Sequence, residues 1–390
     1  MNNVSKEQPE IGSLLAGAIA AGDFPSAVYA VAERGRIRFA DALGFAIHAE
    51  QHQHRATLET IYDLASLTKP LITGLLCARC AERGELNFDS PVATYFKQFA
   101  HADKRALTVR QLLTHTSGLP AWRPLSITTN GQRERALDVI ADEPLDYEPG
   151  TRVVYSDLGF ITLGLLLEEL AGAPLARIAQ REIFEPLELQ RTSFNPVKAL
   201  LTNIAASESA GNAYEREMCG INWGAGDFKS WRGSLIWGEV HDGNAHFLGG
   251  AAGHAGLFST AFETLKLAEQ FIPARTTLLA PETCELFRQN MTSGLNEARS
   301  IAWQLAATVG STAGDALPPN AFGHTGFSGT SCWIDAAHER VFILLTNRTH
   351  NRPLPFANIN SIRRRFHTLA VRALDEHANS TTVNIRGDVA

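Results

Sequence analysis

Three short segments hold the residue types that acyl transfer needs. Ser66 and Lys69 lie three residues apart in Ile61–Pro70, directly ahead of an apolar run, Leu71 to Ala81, that is patterned as a helix. One helical turn puts both side chains on one face, so an amine comes within reach of a hydroxyl. A serine alcohol is a weak nucleophile at neutral pH and needs a neighbouring base. The helix N-terminus adds free N–H groups and a positive dipole end, which suit an oxyanion. The same pair also fits a plain N-cap and a solvated charge, and the spacing alone does not choose. The second segment is Tyr155-Ser156-Asp157, preceded by Tyr147-Glu-Pro-Gly150. A phenol beside a lysine is expected to have its pKa lowered, so that it can take a proton and return it; a Tyr packing at a helix start is the alternative. The third is His324-Thr325-Gly326, opening a strand, where glycine lets backbone approach a ligand. An ordinary glycine-rich turn has the same composition.

The elements that must position these residues follow from the apolar pattern. Ile11, Leu14, Leu15, Ala18 and Ile19 recur as one face of a helix. Ala27–Ala32 and Arg36–Leu43 read as a hairpin turning at Glu33-Arg34-Gly35. Leu158–Ala171 and Leu175–Ile183 are helical, and Val109–Leu119 is a short helix stopped at Gly118. Three strands are expected in Gly323–Asn347, with a turn at Ala336–Arg340, and a closing amphipathic helix in Ile359–Leu374. Arg363-Arg364-Arg365 within it is expected to be a solvated face. Strands at both ends around a helical middle predict a mixed α/β (α+β) fold. Residues 1–63 and 245–390 would form an antiparallel sheet domain flanked by the terminal helices. Residues 64–244 would form a mostly helical lobe, with a Gly/Trp-rich, loop-dominated region at 203–244.

The chain of 390 residues is 45% hydrophobic and 19% charged, ample for a large core. A net charge of −6 gives no basic field for nucleic acid. No apolar run reaches membrane-spanning length. Glu7 and Glu10 ahead of the apolar Ile11–Gly22 stretch are the wrong charge for a signal peptide, so a cytoplasmic location is expected. The five cysteines form no framework, and Cys77-x-x-Cys80 sits in the apolar run after Ser66, where it reads as core.

The three segments, in this order, resemble the serine β-lactamase and penicillin-binding-protein superfamily. The similarity is to the class C-like branch, with class C β-lactamases, D-Ala-D-Ala carboxypeptidases, family VIII esterases and muropeptide hydrolases. Leu112–Leu119, Tyr147–Gly150, Gly323–Thr330 and Leu344–Arg348 support it, and it covers the chain from about Phe24 to the C-terminal helix. The resemblance implies a β-lactamase/transpeptidase-like fold with Ser66 as the acylated nucleophile. Lys69 would share in activating it, and Tyr155 would be general base and then acid. His324 would stand where many members have lysine, with a charge that depends on pH near neutrality. Thr325 and Gly326 would shape the substrate strand, and the Ser66 and Phe327 amides would form the oxyanion hole. Asp157 departs from the usual Asn; a carboxylate suits a substrate amine or Lys69 and disfavours β-lactams.

Gly238–Asp242 and Leu248–Ser259 are similar to a subgroup tied to cell-wall peptides and muropeptide fragments. His241 and Asp242 are expected to hydrogen-bond the loop or contact substrate; with His246 and His254 they match no standard metal motif, and no metal or cofactor is expected. The function implied is a serine hydrolase acting on a small amide, peptide or ester, with a peptidoglycan-derived fragment as the leading candidate. A promiscuous carboxylesterase, a β-lactamase and a non-catalytic scaffold remain alternatives. Expected partners are a small-molecule or peptide substrate, without nucleic acid or membrane span; the oligomeric state is left open.

Overall fold

The protein is described here by a computed structural model that covers residues 7–101, 103–223 and 231–387. Its strands are β1 (Ser26–Glu33), β2 (Arg36–Ala49), β3 (His52–Arg55), β4 (Tyr62–Asp63), β5 (Ser193–Phe194), β6 (Leu257–Ser259), β7 (Gln304–Leu305), β8 (Phe322–Thr325), β9 (Ser331–Asp335) and β10 (Arg340–Thr346). Seven form one antiparallel sheet in the order β3-β2-β1-β10-β9-β8-β7. Its centre is the β1–β10 ladder, with Ala27 opposite Thr346 and Glu33 opposite Arg340.

Both faces of that ladder are buried, which is why β1 and β10 read as continuous apolar runs rather than alternating ones. Val28, Ala30, Ile343 and Leu345 face the main core. Tyr29, Val31, Phe342 and Leu344 face the two terminal helices. The N-terminal helix, Pro9–Ala21, starts with proline and ends on Gly22 at φ 87, and it buries Ile11, Leu14, Leu15 and Ala18. The C-terminal helix, Asn360–Gly387, packs Phe366 edge-on against Tyr29.

The charge run on that helix is not uniformly solvated. Arg363 is buried and donates to the carbonyls of Gly326 and Thr330 at 2.8 and 3.0 Å. Its position on the helix turns it toward the loop after β8, where backbone acceptors compensate its desolvation.

The helical region centres on Asp157–Ala171. Ser156 caps it by accepting from the Gly159 N–H, and Gly172 at φ 60 ends it. Its flank carries Gly164, against which Gly253 packs so closely that a Cβ on Gly253 would lie 2.0 Å from the Phe160 carbonyl oxygen. That approach brings the 248–256 loop onto the helix. Residues 203–256 are less irregular than the sequence suggests. They contain helices Ala213–Trp223 and Gly243–Phe247, the latter capped by Asp242. A second sheet, β4-β6-β5, was not foreseen, because strands of two or three residues leave no periodicity to read. Among the described residues no single helix is long and apolar enough to cross a membrane.

Candidate active site

Ser66 sits in a single tight turn, Ala65–Leu67, between β4 and a π-helical turn, Lys69–Gly74, that includes Pro70. Ala65 has φ 47, a left-handed conformation that costs a non-glycine residue about 1–3 kcal/mol. The buried Asp63 carboxylate holds it, accepting from the Ala65 N–H at 2.8 Å and from the His241 N–H at 2.8 Å. The π-turn displaces Lys69 inward, and the residue is fully buried.

The Lys69 Nζ has three polar neighbours, two that accept hydrogen bonds and one carboxylate in an ion pair. They are Ser66 Oγ at 3.1 Å, the His254 carbonyl at 3.1 Å and Asp157 Oδ1 at 2.6 Å. Burial alone would lower the Lys69 pKa, but Asp157 and Tyr155 outweigh it and raise it. The resting lysine is therefore an ammonium, and it holds Ser66 rather than deprotonating it.

Tyr155 lies beside this pair. Lys69 Nζ is 4.8 Å from its ring centroid, the Arg299 guanidinium 5.7 Å, and the His115 and His324 rings lie at 4.5 and 5.7 Å. Its hydroxyl is buried next to Ser66 and Lys69 and makes no well-formed hydrogen bond among the described residues. Contrary to the sequence expectation, its pKa is raised. Burial is the largest cause, and Asp157 opposes the Lys69 cation that would have lowered it.

His324 is the next-to-last residue of β8 and is buried, its Nδ1 donating to the Thr325 carbonyl at 2.9 Å. Burial first, then Lys69 and Arg299, push its pKa well below the usual histidine value. It is thus neutral at ordinary pH, unlike the pH-dependent charge expected from the sequence. No inflection in kcat/KM attributable to His324 is expected near its ordinary pKa of about 6.5. A pH–rate profile of wild type against His324→Asn checks this; an inflection there that the substitution removes would contradict it.

The Ser66 and Phe327 amides donate to no protein acceptor among the described residues, as an oxyanion hole requires. The strand end bearing Phe327 is pinned from several directions. Ser328 Oγ donates to the Asp63 carbonyl at 2.8 Å and Thr330 Oγ1 to the Leu64 carbonyl at 3.0 Å. Arg348 grips the Phe327 carbonyl with Nε at 3.1 Å and Nη2 at 2.8 Å. A Cβ on Gly326 would lie 2.1 Å from Thr330 Oγ1 and 2.5 Å from the Leu64 carbonyl oxygen. Gly326→Ala is therefore expected to separate the two amides and lower kcat by about 10²–10³, the loss typical of one oxyanion donor. Steady-state kinetics on a short-chain ester, with Tm as a folding control, measure it.

These groups line a cleft of about 490 Å³ that includes Ser66, Tyr155, Arg299, Gln304, His324, Thr325, Gly326, Phe327, Arg348 and Arg363. Among the described residues, three arginines and no carboxylate face it. Arg299 is buried, pairs with Glu297 at 2.8 Å, and leaves Nη1 without a hydrogen-bond partner among the described residues. Nothing in the sequence marks Arg299, because it belongs to no motif. His115 was also missed as a site residue, although it lies within the Leu112–Leu119 segment. It is buried at φ 58, accepts from the Ser156 N–H through Nδ1 at 3.0 Å, and stacks on Tyr155.

Ser66, Lys69, Tyr155, Asp157, His324, Thr325, Gly326 and Phe327 thus come together. His241 and Asp242, expected at the substrate, do not line the cleft. His241 stacks on Phe327 at 5.6 Å and pairs with Glu208 at 2.8 Å; Asp242 pairs with His254 at 2.8 Å. Both are drawn inward by these partners and brace the loop, as one of the two sequence expectations had it. His246 pairs with Glu239 at 3.1 Å, so the three loop histidines have separate carboxylates. Among the described residues no group is arranged to hold a metal ion.

A family model described as Beta-lactamase matches residues 11–363. The chain belongs to the β-lactamase family. It is 32% identical over 319 residues to a putative D-alanyl-D-alanine carboxypeptidase from Escherichia coli (strain K12), covering 76% of this chain and 71% of that protein. It is 30% identical over 378 residues to an N-acetylmuramyl-L-alanine amidase from Bacillus subtilis (strain 168), covering 89% and 82%. Among solved structures, a β-lactamase/D-alanine carboxypeptidase from Pseudomonas syringae aligns with TM-score 0.71 at 16% identity, covering 93% of this chain and 97% of that one. EstCE1, a hydrolase with promiscuous acyltransferase activity, aligns with TM-score 0.70 at 22% identity, covering 93% and 98%. The β-lactamase/transpeptidase-like fold and the hydrolase class follow from this membership.

Proposed function

We propose that this β-lactamase-family hydrolase works through an acyl-enzyme at Ser66, and that its substrate is a muramyl-peptide amide. The observation that carries the mechanism is the Lys69 ammonium joining Ser66 Oγ to Asp157, with the Tyr155 hydroxyl beside them. As Ser66 Oγ bonds to the amide carbon, its proton passes to a Tyr155 oxygen kept basic by its high pKa. That oxygen can accept because the phenolic proton leaves first to solvent water in the open cleft, and the Lys69 cation over the ring stabilises the phenolate that results. The Ser66 and Phe327 amides stabilise the oxyanion. Collapse breaks the C–N bond, and Tyr155 returns the proton to the leaving amine. Water then attacks the ester with Tyr155 as base, regenerating Ser66.

The amide reading is supported by the relatives named as a carboxypeptidase and a muramyl amidase. An arginine-lined cleft suits a peptide carrying carboxylates. The Asp157 carboxylate, committed to Lys69, lacks the amide donor of the Asn it replaces and disfavours β-lactam turnover. The test is amine release from N-acetylmuramyl-L-alanine and from a D-alanyl-D-alanine peptide, and ring opening of nitrocefin read by its absorbance change, each with wild type and Ser66→Ala. Ser66-dependent release is expected to be fastest from the muramyl amide; no release from any amide would overturn the reading.

A further inference from the structure

We infer that a second pocket, walled by Trp122, Trp231 and Phe247, is a saccharide subsite that receives the pyranose ring on the acyl side of the scissile amide. The inference rests on the muramyl-amide reading above and names the part of the molecule that would hold its sugar. The pocket has a volume of about 270 Å³, room for one ring and its substituents, and shares no lining residue with the cleft at Ser66. Its three aromatic side chains are half-buried, and Phe247 is braced from behind by the main core. Flat rings with an apolar face and polar groups close by match a pyranose, which offers C–H faces to aromatics and hydroxyls to acceptors.

The polar wall is built around Glu215. This carboxylate is buried and accepts from the Gly243 N–H at 2.8 Å and from Asn212 Nδ2 at 3.2 Å. Burial, and then Asp242, push the Glu215 carboxyl up to about 7, so it can meet a sugar hydroxyl as an acceptor or, when protonated, as a donor. Gly243 is what lets it sit there, since a Cβ would lie 2.0 Å from Glu215 Oε2. Asn244 braces the walls, donating to the Arg123 carbonyl and accepting from the Leu125 N–H, at 2.8 and 2.9 Å.

The walls are also continuous with the catalytic cluster. Trp122 adjoins Ala121, whose carbonyl accepts from the Asp157 N–H at 2.8 Å. Gly243 and Asn244 follow Asp242, the partner of His254, whose carbonyl holds Lys69. A substrate with a sugar on one side of its amide and a charged peptide on the other would fill both cavities.

Titrating the full-length Ser66→Ala protein with N-acetylmuramic acid, and separately with glucose, is the binding test, read by tryptophan fluorescence and calorimetry. Saturable binding of the amino sugar is expected, weakened at least tenfold in Trp231→Ala and in Glu215→Gln and largely kept in Trp122→Phe. In the Ser66 enzyme, the ratio of kcat/KM for the muramyl amide over a sugar-free amide is expected to fall at least tenfold in Trp231→Ala, through KM. No saturable binding by folded protein, or binding and ratio unchanged in these variants, would overturn the subsite. Loss of Ser66-dependent amide release with sugar binding intact would instead count against the function and leave the pocket standing.

Discussion

Tyr155→Phe is expected to lower kcat by about 10²–10⁴ while leaving Tm unchanged or slightly higher. The two effects have separate causes. In the proposed mechanism the hydroxyl moves the proton between Ser66 and the leaving amine, so its removal would strike the chemical step. It is also buried without a well-formed partner, and deleting an unsatisfied polar group releases a desolvation cost instead of adding one. The ring, held by His115, Lys69 and Arg299, would stay in place. Steady-state kinetics with thermal unfolding give both numbers. A fall in Tm of several degrees accompanied by a small kinetic loss would mean that Tyr155 is only packing.

Lys69→Met is expected to do the reverse in one respect, removing activity and stability together. Its ammonium hydrogen-bonds the nucleophile and the His254 carbonyl and forms an ion pair with Asp157. Breaking a buried ion pair from one side costs about 3–5 kcal/mol, because the remaining charge is left uncompensated. The lower end applies here, since the Asp157 side chain keeps 18% of its surface exposed. Adding Asp157→Asn to Lys69→Met is expected to recover most of that stability and none of the activity, which chemical denaturation and ester kinetics separate. Recovery of activity in the double variant would remove Lys69 from the mechanism.

Much of this arrangement was legible in the sequence. β1 and β10 are continuous apolar runs, and Ser66, Tyr155 and His324 occupy short segments whose order is itself a signal. What escaped was whatever depends on partners far along the chain. The raised pKa of Tyr155 follows from burial and from Asp157 neutralising Lys69, neither of which spacing reveals. Arg363 looked like its two neighbours in a basic run until the helix faced it toward Gly326. Arg299 reaches the cleft from a loop with no pattern of its own. His241 and Asp242 sit in a segment with an evident similarity, yet their carboxylate and histidine partners turn them away from the cleft.

The central claim is that Ser66 becomes acylated, and intact-mass spectrometry after incubation with a fluorophosphonate tests it most directly. One adduct per chain is expected on the wild-type protein, mapping to the peptide that contains Ser66 and absent from Ser66→Ala. An unlabelled wild-type protein, or an adduct that persists in Ser66→Ala, would contradict it.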